Sequence, residues 1–255
     1  MFKNIYFCVI IYNKNYMGEI MKITEVNNLY KYLIGAVPIG FGTTAVCFLM
    51  RNNKVLKVYY SISLKNIMMS KFEILDEIGN DSYITPEEVL IKDNLCIAQI
   101  YPYIKAKTLN KINKNTISEL LINYDKLKKD TKYVSDRNFL LGDLHRKNIL
   151  FNGSYYVIDL DKGYTEERYS ENTIYSLNMR KINETILYSI FGIKSDRVVD
   201  FYNEDIKKSY CKSLSDLDYF PELLELFAKY SESEDVKVIS KKIEYNTSIN
   251  TYYKY

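Results

Sequence analysis

The chain has 255 residues, 47% of them apolar and 26% charged, which allows one large domain or two small lobes around a real core. A net charge of +3 makes no overall case for binding nucleic acid. One histidine and four scattered cysteines, Cys8, Cys47, Cys96 and Cys211, with no C-x-x-C pair, argue against a zinc site and fit reduced thiols in the cytoplasm.

At the start, Lys3 precedes the apolar run Ile5 to Tyr12, which is too short to span a bilayer and has no small-x-small cleavage site after it. Residues 1–24 are expected as an N-terminal extension, either an added strand or a poorly ordered segment, with Met17 and Met21 as alternative starts. No later stretch has ~18 consecutive apolar residues, so no membrane helix is expected.

Residues 25–103 read mostly as strands. "IGAVPIGFGTTAVCFLM", the turn "RNN" and the alternating "KVLKVYY" predict a hairpin, with Gly40 and Gly42 in the loop that precedes it. Apolar residues at 64, 67, 68, 72, 75 and 78 then have helical spacing, and Gly79 is placed to stop that helix. "EEVLI" and "LCIAQIYPYI" predict two further strands around the turn "KDN". A crossing at "YPYIKAK", stiffened by Pro102, separates this part from residues 104–255, which read mostly as helices. There "NTISELLINYDKLKK" opens on a capping box of Thr116 and Glu119, and "NTIYSLNMRKINETILYSIFG", "SDLDYFPELLELFAKY" and "DVKVISKKIEY" predict three more helices.

The chemistry concentrates in four places. Small residues at Gly40 and Gly42 let a hairpin backbone approach phosphates. Lys57 shares a strand face with Val55 and Tyr59, where an unpaired ammonium is costly, so an anionic ligand or a carboxylate on the next helix, Glu73 or Glu77, is its expected partner. Asp143 and Asn148 stand five apart after an apolar strand, and Asp159 ends a second strand eleven residues later. The turn "NGS" between those strands predicts a hairpin that brings Asn148 and Asp159 to one end, an oxygen pair suited to Mg²⁺, while Asp143 is placed to take a proton from a hydroxyl.

Gly40-x-Gly42-x-x-Ala45, Lys57, a helical Glu, a strand-to-hinge crossing, Asp143-x4-Asn148 and Asp159 stand in an order that resembles the protein kinase-like fold. "LGDLHRKNIL" is most similar to the catalytic loop of the aminoglycoside phosphotransferase, choline kinase and atypical bacterial kinase branch, H-G-D-x-x-x-x-N. "VIDLDKG" resembles the metal-binding segment of that branch and of lipopolysaccharide-core kinases.

The resemblance implies an α+β, two-lobed fold with a small antiparallel β-rich N-lobe and a reduced helical C-lobe. It implies ATP and Mg²⁺ as cofactors and a protein or small-molecule hydroxyl as acceptor. Asp143 becomes the base, Asn148 and Asp159 the Mg²⁺ ligands, Lys57 the phosphate contact held by Glu73, and Gly40 and Gly42 the phosphate cover. Gln99 to Tyr103, with Gln99, Tyr101 and Tyr103, form the adenine-facing hinge. No substrate-binding insert is visible between the hinge and Asp143, which favours a protein acceptor over an aminoglycoside, choline or sugar. A nucleotide-binding pseudokinase is the other reading.

The chain departs from the pattern at Leu141, where the family has His, and at Asp161, where protein kinases have Gly. Asp161 is expected to bind a second metal or to pair with Lys147 or Lys162, and His145 to brace the loop. From Lys105 to Lys147 there are eleven Lys/Arg against five Asp/Glu, either a greeting for an anionic substrate or a solvated helix face.

Overall fold

The computed structural model describes residues 21–60, 69–112, 115–194 and 197–249. Five antiparallel strands follow from the hairpin and the two later apolar runs: β2 (Val37–Phe41), β3 (Ala45–Leu49) and β4 (Lys54–Tyr59), then β5 (Glu88–Lys92) and β6 (Leu95–Pro102) beyond a helix. β1 (Lys22–Glu25) adds itself parallel to β5, so the sheet order is β1-β5-β6-β4-β3-β2. The sheet therefore begins inside the segment expected as an extension, and residues 1–20 lie outside the described residues.

One face of the sheet is covered by the short helix α1 (Tyr30–Leu33), where Leu29, Tyr32 and Leu33 pack on Leu56, Leu90, Ala98 and Ile100. The other face receives α2 (Met69–Ile78), which buries Phe72, Leu75 and Ile78. The predicted start of that helix, residues 64 to 68, lies outside the described residues.

The C-lobe starts beyond Pro102. β7 (Lys107–Thr108) pairs with the later strand Ile149–Phe151, and the expected single helix after Thr116 is two, α3 (Ile117–Leu121) and α4 (Tyr124–Ser135), broken at Ile122 and Asn123. The capping box of Thr116 and Glu119 forms as read. β8 (Phe139–Leu140), β9 (Ile149–Phe151), β10 (Tyr155–Val157) and β11 (Tyr164–Thr165) then frame the acidic segment. α5 (Glu171–Phe191) runs through the centre of the lobe and ends on left-handed Gly192.

β12 (Arg197–Phe201), α6 (Glu204–Ser215), α7 (Phe220–Ser231), α8 (Val236–Lys242) and β13 (Tyr245–Ile249) complete the lobe. β12 and β13, distant in the chain, pair antiparallel, Arg197 with Ile249 and Phe201 with Tyr245.

The lobes share one apolar core. Phe72, Leu75, Ile78 and Tyr83 join Ile149, Val157, Leu160 and Ile182 in a single cluster. Main chain ties them too: Tyr83 bridges Val157, the Val157 amide donates to Ser82 O at 2.6 Å, and the Ile84 amide donates back to Val157 O at 3.0 Å. The chain leaving α2 is thus stitched to the strand that ends two residues before Asp159.

Candidate active site

The sheet register builds the N-lobe half of the site. Gly40, Cys47, Lys57 and Gln99 stand opposite one another across β2, β3, β4 and β6, so Cys47, Lys57 and Gln99 share one face. Tyr59 and Tyr101, each two residues on, lie on that face as well. Gly42 closes the preceding turn by donating its amide to Ala45 O at 2.8 Å.

The C-lobe half is the β9–β10 hairpin and its flanks. Asn148 is buried and tied on three sides: its amide donates to His145 O, its carbonyl accepts from Ile158 N, and its Nδ2 donates to Asp143 O at 2.9 Å. With Nδ2 so used, Oδ1 is the side-chain atom that could face a cation. The hairpin read from the sequence forms, and it brings Asn148 beside the residue preceding Asp159.

Asp159 sits in the left-handed region, φ 60° and ψ 53°, which Asp tolerates better than most residues and which is often seen at functional sites. A short 3₁₀ turn, Leu160–Lys162, follows and carries Asp161.

The halves meet at Lys57. Its Nζ lies 2.5 Å from Asp159 Oδ1 and 2.5 Å from Asp161 Oδ2, and the residue is only 8% exposed. Burial works against the ammonium, but the Asp161 and Asp159 carboxylates outweigh it and hold the Lys57 pKa above its ordinary value. The Tyr59 hydroxyl reaches Asp161 Oδ2 at 2.5 Å and Gln99 Oε1 at 2.7 Å, and Tyr101 donates to the same Gln99 oxygen at 2.5 Å. Burial pushes both phenols well above their usual range, so they stay protonated.

Three sequence expectations are corrected. Glu73 is not the Lys57 partner: Glu73 and Glu77 are exposed, and the ammonium meets Asp159 and Asp161 instead. The reason is helical phase, since Phe72, Leu75 and Ile78 turn inward and put both glutamates on the far side. Gln99 does not present hinge backbone, because it lies mid-strand between β4 and β5 and enters the site through its side chain. Asp161 pairs with Lys57 and Tyr59, not with Lys147 or Lys162. Tyr103 does follow the end of β6, with its amide donating to Asn53 O at 3.3 Å.

Asp143 is 39% exposed in its side chain and accepts from Lys162, an ion pair whose hydrogen bond holds the carboxyl below its ordinary range. The charges of Asp159 and Lys57 are felt at Lys162, so the four groups occupy one electrostatic field. His145 braces the loop as expected, its Nδ1 accepting from Lys147 N at 3.2 Å.

Glycine makes the close approach possible. A Cβ on Gly142 would fall 1.8 Å from Lys162 O, and one on Gly163 would fall 2.1 Å from the Phe139 ring.

Two residues of α5 carry the loop and had no motif to announce them. Asn178, fully buried, accepts from Leu141 N at 2.9 Å and donates to Phe139 O at 2.9 Å. Lys181, one turn on, donates to Leu141 O at 2.8 Å and Gly142 O at 2.7 Å. Only their i, i+3 spacing on a helix was visible in the sequence.

The donor set fits a hard divalent cation. Asp159 and Asp161 set two carboxylates against one ammonium, which leaves a net negative charge just after Ile158, whose amide is tied to the Asn148 carbonyl. Among the described residues no group of three or more His, Cys, Asp or Glu could hold a metal alone, so any Mg²⁺ here would complete its shell with phosphate and water.

No protein-family model and no curated protein matches the sequence. Solved structures do match its fold. The twitchin kinase region of C. elegans aligns with TM-score 0.55 and 13% identity over 88% of this chain and 46% of that one. A twitchin kinase fragment from the same organism, described as an autoregulated protein kinase with immunoglobulin domains, aligns with TM-score 0.56 and 14% identity over 89% of this chain and 60% of that one. The chain thus spans about half the length of these structures, and it has the two-lobed α+β protein kinase-like fold.

Proposed function

We propose that the protein is an ATP- and Mg²⁺-dependent phosphotransferase. The observation that carries this reading is the meeting of Lys57 with Asp159 and Asp161 across the two lobes, beside Asn148 and Asp143. A fold is host to many functions, so the reading rests on these side chains.

In this reading Asp159 and Asn148 Oδ1 hold Mg²⁺, which supplies charge neutralisation on the transferring phosphate. Lys57 presents its ammonium to the nucleotide phosphates, and the turn at Gly42 covers them with backbone. Asp143 orients the acceptor hydroxyl and takes its proton. Lys162 keeps that carboxylate ionised and faces the departing charge. Little covalent work is left to the protein, so positioning and charge supply the rate.

The acceptor is a protein or small-molecule hydroxyl. Among the described residues the segment between β6 and Asp143 holds β7, a 3₁₀ turn, α3, α4 and β8, short elements without a separate substrate-binding insert, which favours a protein acceptor. The IDLD pattern favours the atypical bacterial branch of the superfamily. Free Cys47, Cys96 and Cys211, with no disulfide among the described residues, support a reducing cytoplasmic setting. Among the described residues no helix is long and apolar enough to cross a membrane.

Incubation with labelled ATP and Mg²⁺, following autophosphorylation beside a panel of sugars, choline and aminoglycosides, tests the reading. Transfer that needs Mg²⁺ and disappears in Asp143→Asn is the expected result. Absence of any Mg²⁺-dependent thermal shift with ATP would reject it.

A further inference from the structure

The pairing of Lys57 divides labour between two carboxylates two residues apart. Among the described residues the Asp159 carboxylate hydrogen-bonds Lys57 alone, and it keeps nearly half of its side chain, 46%, exposed to the cleft. Asp161 is more enclosed, at 23%, and its Oδ2 takes both the Lys57 ammonium and the Tyr59 hydroxyl at 2.5 Å. Behind Tyr59 stand Gln99 and Tyr101, so Asp161 plugs into a polar row laid across β4 and β6. The Asp161 oxygen shared between a buried ammonium and a buried phenol is committed to the sheet. The exposed carboxylate is the one left to face a cation.

We propose that Asp161, backed by Tyr59, is the positioning residue for Lys57, in the place where a carboxylate from α2 was expected. The proposal rests on the phosphotransferase reading for its catalytic meaning. Under it, the turn Leu160–Lys162 sets two things at once: the metal-facing carboxylate of Asp159 and the anchor of the phosphate-facing ammonium. Lys57 then keeps its placement without any carboxylate delivered by α2, whose Glu73 and Glu77 point to solvent. The Lys57–Asp161 pair is also a bond between lobes, so lobe closure and ammonium placement are one event.

Two measurements on the full chain test this. The first needs no nucleotide: thermal unfolding of Lys57→Met, Asp161→Asn and the double variant. Each single change is expected to lower the melting temperature, and the double variant to fall no further than the worse of the two. Additive losses would overturn the pairing.

The second measures ATP binding and transfer. Asp161→Asn is expected to raise the KM for ATP on the order of 10²-fold, the cost of an ångström-scale misplacement, with a smaller effect on kcat. Tyr59→Phe is expected to act in the same direction and less, and Asp161→Glu to recover part of the loss. If Glu73→Gln reproduced the Asp161→Asn loss, the anchor would be on α2 and the proposal would fail. If the unmodified protein neither binds nor turns over Mg·ATP, the phosphotransferase reading fails, while the unfolding cycle still decides whether Asp161 anchors Lys57.

Discussion

Asn178 of α5 accepts the amide hydrogen of Leu141 at 2.9 Å, two residues before Asp143. The same side chain donates to Phe139 O and to Ser135 Oγ, so one buried amide holds the entrance of the loop from below. Leu141 itself is buried in the apolar core. A helix residue thus holds the loop's backbone, while the Leu141 side chain serves the apolar core.

Replacing Asn178 by Leu leaves a buried amide and a buried carbonyl without partners. The expected cost is about 2–4 kcal/mol of unfolding free energy, by denaturant titration, at about 1–2 kcal/mol for each group left unsatisfied. Lys181→Met, which removes the hold on the Leu141 and Gly142 carbonyls and a positive charge felt at Asp143, is expected to lower kcat more than stability.

Asp143→Asn is expected to leave the fold intact and to lower phosphate transfer by about 10²–10⁴-fold, the usual worth of a positioned base. Nucleotide binding, followed by thermal shift, should persist, because Lys57, Asn148 and Asp159 are untouched.

Gly142→Ala drives a methyl group into the Lys162 carbonyl at 1.8 Å, and that neighbour is backbone, which cannot rotate away. Overpacking of this kind costs about 1–3 kcal/mol, and here the two strands of the site must also part. Loss of transfer beyond what the drop in stability explains is the expected outcome, from melting curves and kinetics on the same samples.

Lys57→Met leaves Asp159 and Asp161 facing each other across the former ammonium position. Removing one partner of a buried ion pair costs about 3–5 kcal/mol when the remaining charge stays enclosed. Both carboxylates here keep some exposure, which screens them, so a loss at or below the lower end of that range is expected. Lys57→Arg should recover little, because a planar guanidinium does not fit two carboxylates arranged for a point charge.

Outside the cleft, Arg168 hydrogen-bonds Glu166 through its side chain and holds that carboxyl down at about 2. A depressed carboxylate contributes stability that is present above its unfolded value and is lost as pH falls through the folded one. Arg168→Ala is expected to return the Glu166 titration toward the ordinary carboxylate range, as followed by side-chain NMR.

Much of the fold was legible along the chain because its signals are local. The capping box at Thr116, the Gly stop at 192, the alternation of "KVLKVYY" and the "NGS" hairpin each depend on residues within a few positions of one another. β12 and β13 were missed because neither alternates clearly alone and their pairing joins distant segments. α6 was missed for a different reason: Asn203 caps it well, but polar "EDIKKSYCKSLS" buries only a narrow stripe at Ile206 and Tyr210.

The candidate site divides the same way. Asp143, Asn148 and Asp159 were visible as a set, because one hairpin and its turn put them together within seventeen residues of chain. Even the failure of Glu73 was latent in the sequence, since the period that buries Phe72, Leu75 and Ile78 turns Glu73 outward. The partner of Lys57 was not: Asp161 lies 104 residues away and meets it only after two lobes fold and close. Local chemistry and periodicity determined which residues are polar ends on apolar supports. Which of them meet was decided by sheet register and by the shared core between the lobes, because a buried ammonium takes the carboxylate that packing brings within reach.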